Sequence, residues 1–156
     1  MRKHLLKQEQ HVLEHLQVWL LFKEKQSMVA TNLVELAIEA SSRAYVPYSK
    51  FPIGAALRTA DGSIYTGCNV ENASFGLTNC GERTAIFKAV SDGHQKLEEI
   101  AIYGTSAEPI SPCGACRQVM VEFFEPTAKV TLIAKNGQTV ETTVGELLPY
   151  SFTDLT

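Results

Sequence analysis

Cys80-Gly81-Glu82-Arg83-Thr84-Ala85 is answered further along the chain by Pro112-Cys113-Gly114-Ala115-Cys116, and these two stretches decide how the sequence reads. Three thiols suited to zinc stand beside a carboxylate placed two residues after the first of them. Zinc held by three protein ligands keeps a fourth position for water and lowers the pKa of that water. A glutamate that is not itself a ligand can then move the protons. Cys113 and Cys116 are i, i+3, so a helix puts them on one face, where they can share a metal. Cys80 comes from another helix and closes the site. In a regular helix Glu82 would point away from Cys80, so Cys80 is expected at the helix cap with Glu82 reaching the bound water. Three thiolates overcompensate one Zn²⁺, and something positive must offset them. Helix N-termini contribute roughly half a positive charge each, and Arg83, i+3 from Cys80, is expected to tune the charge by donating to the thiolates.

Around these stretches the pattern alternates between helix and strand. Residues 31–45 repeat Leu33, Leu36, Ala37, Ala40 and Ala44 at helical spacing, and Pro47 ends the run. Residues 53–60 read as a strand, Asp61-Gly62 as a tight turn and 63–68 as the returning strand. The Asn-, Ser- and Gly-rich segment 69–79 reads as a loop. A helix over 80–91, a strand over 99–104, a helix over 113–124 and a strand over 129–135 follow. Asn136-Gly137 is a second hairpin turn, leading into 138–142, and 144–148 forms a short last helix. An open sheet with helices on its faces satisfies this order. Both cysteine clusters then fall at helix N-termini, on the ligand-binding edge of such sheets.

The length of 156 residues allows one domain with a real core. With 45% hydrophobic and 20% charged residues, the composition is that of a soluble globular protein. A formal net charge of −3 gives no footprint for nucleic acid. Four cysteines, two of them in Cys-x-x-Cys, with no convincing signal peptide, point to a reduced, cytoplasmic protein whose thiols serve a metal. The apolar run 18–22 is far too short to span a bilayer. Residues 1–27 differ from the rest, with Arg2, Lys3, Lys7, Lys23, Lys25 and three of the four histidines. They read as a solvated helical extension, and Met28 opens a domain over 28–156 that looks like a natural start.

Other readings of the cysteines are weaker. A structural zinc site wants a fourth Cys or His, and Cys68 reads instead as a small residue ending a strand, His94 as a solvated loop residue. A redox pair would need a thioredoxin-like context that is absent around Pro112-Cys113.

The motifs taken together resemble one family. Tyr48-Ser49-Lys50-Phe51, Gly67-Cys68-Asn69-Val70-Glu71-Asn72, Cys80-Gly81-Glu82-Arg83-Thr84-Ala85, Ser111-Pro112-Cys113-Gly114-Ala115-Cys116-Arg117-Gln118 and Glu146-Leu147-Leu148-Pro149 occur in the order of the short, three-cysteine cytidine deaminases. The resemblance implies an α/β fold, a three-layer α/β/α sandwich with a mixed five-stranded sheet. It implies one Zn²⁺ per subunit on Cys80, Cys113 and Cys116, with Glu82 as the proton shuttle. It matches Asn69 and Glu71 to the ribose 3′-hydroxyl, Phe51 to the pyrimidine face, the Gly81 N–H to the pyrimidine carbonyl, and Phe152 to a neighbouring subunit's site. It implies a homotetramer with shared sites, a free nucleoside substrate and neither nucleic-acid nor membrane partners. Many relatives carry Ala at Gly81 and Tyr at Phe75. The implied reaction is hydrolytic deamination of cytidine and 2′-deoxycytidine, as in pyrimidine salvage. A blasticidin-type deaminase generally lacks Arg83 and the Asn69-x-Glu71 pair, and a nucleotide or tRNA deaminase usually has His at Cys80. A zinc-binding module without activity is the rival from another class.

Overall fold

A computed structural model describes residues 32–154 together with Gln17. The expected helix over 1–27 and the domain start at Met28 lie outside the described residues. Among the described residues no helix is long and apolar enough to cross a membrane.

The sheet grows from two short-range signals. Strand β1 (Ile53–Thr59) turns at Asp61-Gly62 into β2 (Ile64–Cys68). The Asp61 carboxylate accepts from the Thr59 hydroxyl and, at 3.0 Å, from the Ser63 N–H, while Gly62 takes φ +88. Strands β4 (Phe124–Ile133) and β5 (Thr139–Thr143) turn at Asn136-Gly137 in the same way, with Gly137 at φ +85. Between the hairpins lies β3 (Leu97–Gly104), giving a five-stranded sheet of order β2-β1-β3-β4-β5. All neighbours are antiparallel except β3 and β4, so the sheet is mixed.

Both faces of the centre are covered, because consecutive side chains of a strand point to opposite sides. Ala56, Ala101 and Ile133 face helix α1 (Leu33–Ser41) through Leu33 and Ala37. Ala55, Leu57 and Ile102 face the other way, onto Ala85 and Ile86 of α2 (Gly81–Ser91) and Met120 of α3 (Gly114–Phe123). Val144 and Leu147 of the short α4 (Val144–Leu147) join this second core. The result is the three-layer α/β/α sandwich.

Two element edges and the setting of one histidine differ from the sequence reading. Helix α1 ends at Ser41, well short of residue 45. There the Ser41 and Ser42 hydroxyls take the carbonyls of Ile38 and Glu39, each at 2.7 Å, competing with the helical ladder. Strand β4 begins at Phe124 and not at 129, since Phe124 already pairs with Leu97. The register then shifts so that Lys129 faces Glu99, and the extra residues bulge out around Pro126, which has no N–H to offer. His94 is half-buried, its Nδ1 3.4 Å from Asp61 and its ring 5.5 Å from that of Tyr65. Packing against the first hairpin removes it from the solvent expected for a loop histidine.

Candidate metal and catalytic centre

Cys80 and Cys113 are the N-caps of α2 and α3, with extended backbones (ψ 157 and 164). Neither caps its helix through the side chain, so both thiols are free to turn inward. Cys116, one turn into α3, is fully buried. Two elements that are distant in sequence thereby bring Cys80 Sγ to 3.8 Å from Cys113 Sγ, and Cys113 Sγ to 3.5 Å from Cys116 Sγ. All three sulfurs lie within 4.8 Å of one another. With Zn–S bonds of about 2.3 Å, tetrahedral angles require sulfurs about 3.8 Å apart. The trio fits that ion in both donor type and spacing. Cys68 and His94 stand outside the cluster, so among the described residues it is three-sided.

The electrostatics favour thiolate at this corner. Cys116 as a donor, with Arg83 and Cys113 alongside, pulls the Cys80 thiol down to about 5. The Arg83 Nη2 donates to Cys80 Sγ at 3.4 Å. Cys116 moves the opposite way, because its proton is shared with Cys80 and its site is dry. Thiols must lose their protons to hold a metal, and the Arg83 guanidinium beside Cys80 favours that loss.

Glu82 lies in the first turn of α2, 2% exposed. Burial pushes its carboxyl up to about 7, with the Cys80 charge adding to the effect. Its Oε2 has no hydrogen-bond partner, and neither has the buried Arg83 Nε. A buried polar atom without a partner costs about 1–3 kcal/mol, and such atoms mark a place where an absent ligand is expected to sit.

The other residues singled out from sequence are spread around this corner. Asn69 is buried, its Oδ1 accepting from the Ile53 N–H at 2.8 Å and its Nδ2 donating to the Phe51 carbonyl at 2.9 Å. Glu71 Oε2 accepts from the N–H groups of Tyr48 at 2.9 Å and Ser49 at 3.2 Å, and bonds from Ser49 and Tyr48 hold its carboxyl below the usual range. Tyr48, Ser49, Glu71, Phe75 and Thr78 line an open cavity of about 450 Å³. Phe51 is half-buried, with its ring edge beside Gly104. A Cβ on Gly81 would meet the Ile53 carbonyl at 3.3 Å, so alanine fits there if that carbonyl yields by a few tenths of an ångström. Phe75 is exposed and makes only an edge contact with Tyr48, the centroids 5.7 Å apart. Phe152 is 63% exposed and far from enclosed, although its carbonyl accepts from Gln118 Nε2 at 2.8 Å.

Sequence reasoning left Thr84 and Arg117 without roles. Thr84 Oγ1 donates to the Cys80 carbonyl at 3.1 Å and accepts from Asn79 Nδ2 at 3.0 Å, tying the loop before α2 to its first turn. A Thr four residues after a capping cysteine was the available signal.

Three sulfurs shared between two helix N-termini, with a buried carboxyl in the first turn whose Oε2 has no partner, define a zinc-dependent hydrolase that works through water. Comparison with known proteins agrees. The cytidine and deoxycytidylate deaminase zinc-binding region matches residues 28–133. A cytidine deaminase of Sporosarcina psychrophila is 50% identical over 125 residues, covering 80% of this chain and 92% of that protein. The crystal structure of cytidine deaminase from Burkholderia pseudomallei, 50% identical, covers 79% of this chain and 98% of its own with a TM-score of 0.76. More distant, a blasticidin-S deaminase of Bacillus cereus is 35% identical over 130 residues, covering 78% and 91%. The chain belongs to the cytidine and deoxycytidylate deaminase family.

Proposed function

We propose that the protein deaminates free cytidine and 2′-deoxycytidine hydrolytically, giving uridine and 2′-deoxyuridine with release of ammonia, a reaction of pyrimidine salvage. The observation that carries this reading is the three-thiol cluster with Glu82 buried beside it, in a chain 50% identical to a cytidine deaminase. Cys80, Cys113 and Cys116 would hold the zinc, whose Lewis acidity supplies an activated water at neutral pH. Glu82 would take one proton from the attacking water and deliver it to pyrimidine N3, then take the second from the hydroxyl left on C4 and give it to the departing amine. A carboxyl raised to about 7 by burial suits both directions of transfer near neutrality. Arg83 holds the sulfurs' surplus negative charge in check.

Asn69 and Glu71 are the groups assigned to the ribose. Main-chain partners fix both side chains, and each keeps unused hydrogen-bonding capacity: one N–H of Asn69 and one carboxylate oxygen of Glu71. Glu71 stays ionised, and an anion at the sugar disfavours a phosphate there. Phe51 supplies the face for the pyrimidine, and the Gly81 N–H the donor to its carbonyl. The purified protein is expected to convert cytidine to uridine, followed by loss of the amine, and to act poorly on the corresponding monophosphate. Turnover of blasticidin S without turnover of cytidine would reverse the assignment.

The assembly proposed is a homotetramer with shared sites. Its support is the exposure of Tyr45, Phe75, Leu77 and Phe152, at 58%, 73%, 71% and 63%, large apolar groups that a single chain leaves to solvent. Sedimentation equilibrium should give four chains per particle, and a monomer at micromolar concentration would remove the shared site. Three reduced thiols fit a cytoplasmic location.

A further inference from the structure

The three sulfurs are not held equally well. Packing immobilises Cys116, which is 0% exposed, and half-burial with the Arg83 contact restrains Cys80. Cys113 is exposed and stands at a helix cap, with ψ 164, outside the helical ladder. Burial does not fix where its thiol points; what it meets are the sulfurs of Cys80 and Cys116.

Arg117 meets the backbone on both sides of Cys113, once through its main-chain N–H in the first helical turn and once through its side chain. The Arg117 N–H donates to the carbonyl of Cys113 at 3.0 Å, and the Arg117 Nε donates to the carbonyl of Pro112 at 2.8 Å. Peptide groups are planar, so anchoring these two carbonyls anchors both planes that meet at the Cys113 Cα, and with them its φ and ψ. The rest of the guanidinium locks the arrangement to its surroundings. Nη2 donates to Ser111 Oγ at 2.6 Å and Nη1 to the Leu147 carbonyl at 2.8 Å. Leu147 ends α4, whose start is fixed by a Thr143–Glu146 capping box, so this last anchor is itself rigid.

We propose that Arg117 is the positioning residue of Cys113: it fixes the backbone of the one metal thiol that burial does not hold. The inference rests on the zinc reading of the three-cysteine cluster. It requires a planar fork with several donors, which lysine does not provide. Without the guanidinium, the Cys113 carbonyl keeps its helical bond from the N–H of residue 117, but the Pro112 carbonyl loses its anchor; the Pro112–Cys113 peptide can then turn, and the metal must orient it at a cost in affinity.

The test is zinc affinity, measured by competition with a chromophoric chelator on the full chain. Arg117→Ala is expected to bind zinc roughly 10–100-fold more weakly than the parent, as removal of residues that orient metal ligands commonly does. Arg117→Lys should fall between the two, since an ammonium keeps the charge but lacks the planar fork that spans the Pro112 and Leu147 carbonyls. A core variant, Ile86→Val, serves as the structural control and should keep parental affinity despite a lower melting temperature. Parental affinity in Arg117→Ala, or a loss no larger than that of the control, overturns the proposal. If Arg117→Ala does not fold, the same comparison made with Arg117→Lys decides. A parent that binds no zinc, or a Cys113→Ser variant that binds it as the parent does, would instead sink the metal site and the inference together.

Discussion

Glu82→Gln is expected to fold and to keep its zinc, yet to turn over cytidine roughly 10²–10⁴-fold more slowly than the parent, the range that a positioned acid–base group supplies. Glutamine preserves the shape of the side chain and removes only its capacity to take a proton. Glu82 lies outside the set of sulfurs that gather within 4.8 Å, so its loss leaves the donor set intact. Zinc lost from the variant would make Glu82 a ligand and end the shuttle reading. Turnover within tenfold of the parent would end it as well.

The same substitution has a consequence for stability. The Glu82 carboxyl titrates at about 7 in the fold against a reference of 4.5, so the folded chain keeps a proton that the unfolded chain gives up. Folding is therefore helped by that proton below about pH 4.5, and the help is lost as pH rises through about 7. In zinc-stripped protein, the parent should melt progressively lower than Glu82→Gln as pH is raised across this interval. A constant difference would mean that the buried carboxyl has other company. The site keeps an unstable group because its chemistry needs one.

Gly67→Ala should be strongly damaging, to the fold and to the site together. A Cβ on Gly67 would lie 2.4 Å from the Ala85 nitrogen and 2.5 Å from the Gly81 carbonyl oxygen. Both are main-chain atoms of α2, and neither can rotate away as a side chain would. Overpacking of a core costs about 1–3 kcal/mol, sometimes more, and here the whole helix must retreat from β2. That helix carries Glu82 and Arg83 and begins at Cys80, and a misplacement of 1 Å is enough to cost about a hundredfold in rate. Thermal melting and kcat/KM should therefore fall together. Parental values of both would show that strand and helix are slack where the geometry has them in contact.

Much of the molecule was legible before folding. The hairpins at Asp61-Gly62 and Asn136-Gly137 are local events, decided by a residue that tolerates positive φ and a side chain that caps the turn. The metal pair in α3 was legible because i, i+3 on a helix is geometry independent of the rest of the chain. The edges of α1 and β4 were not. They depend on which donors compete at Ser41 and Ser42, and on a strand partner, Leu97, that reaches Phe124 across the whole of α3. Asn69 was read as a ribose contact, and the fold shows it equally engaged in joining Phe51 to Ile53.

By itself the sequence determined the chemistry: three soft donors, one carboxylate and the turns and helices that present them, because residue type and short spacing carry that information. Tertiary structure alone decided that Cys80 meets Cys113 and Cys116, that Glu82 is dry enough to be raised to about 7, and that the Arg117 guanidinium reaches the Leu147 carbonyl. Each of these depends on what a distant segment places nearby, and burial and long-range hydrogen bonds exist only once the chain has closed on itself.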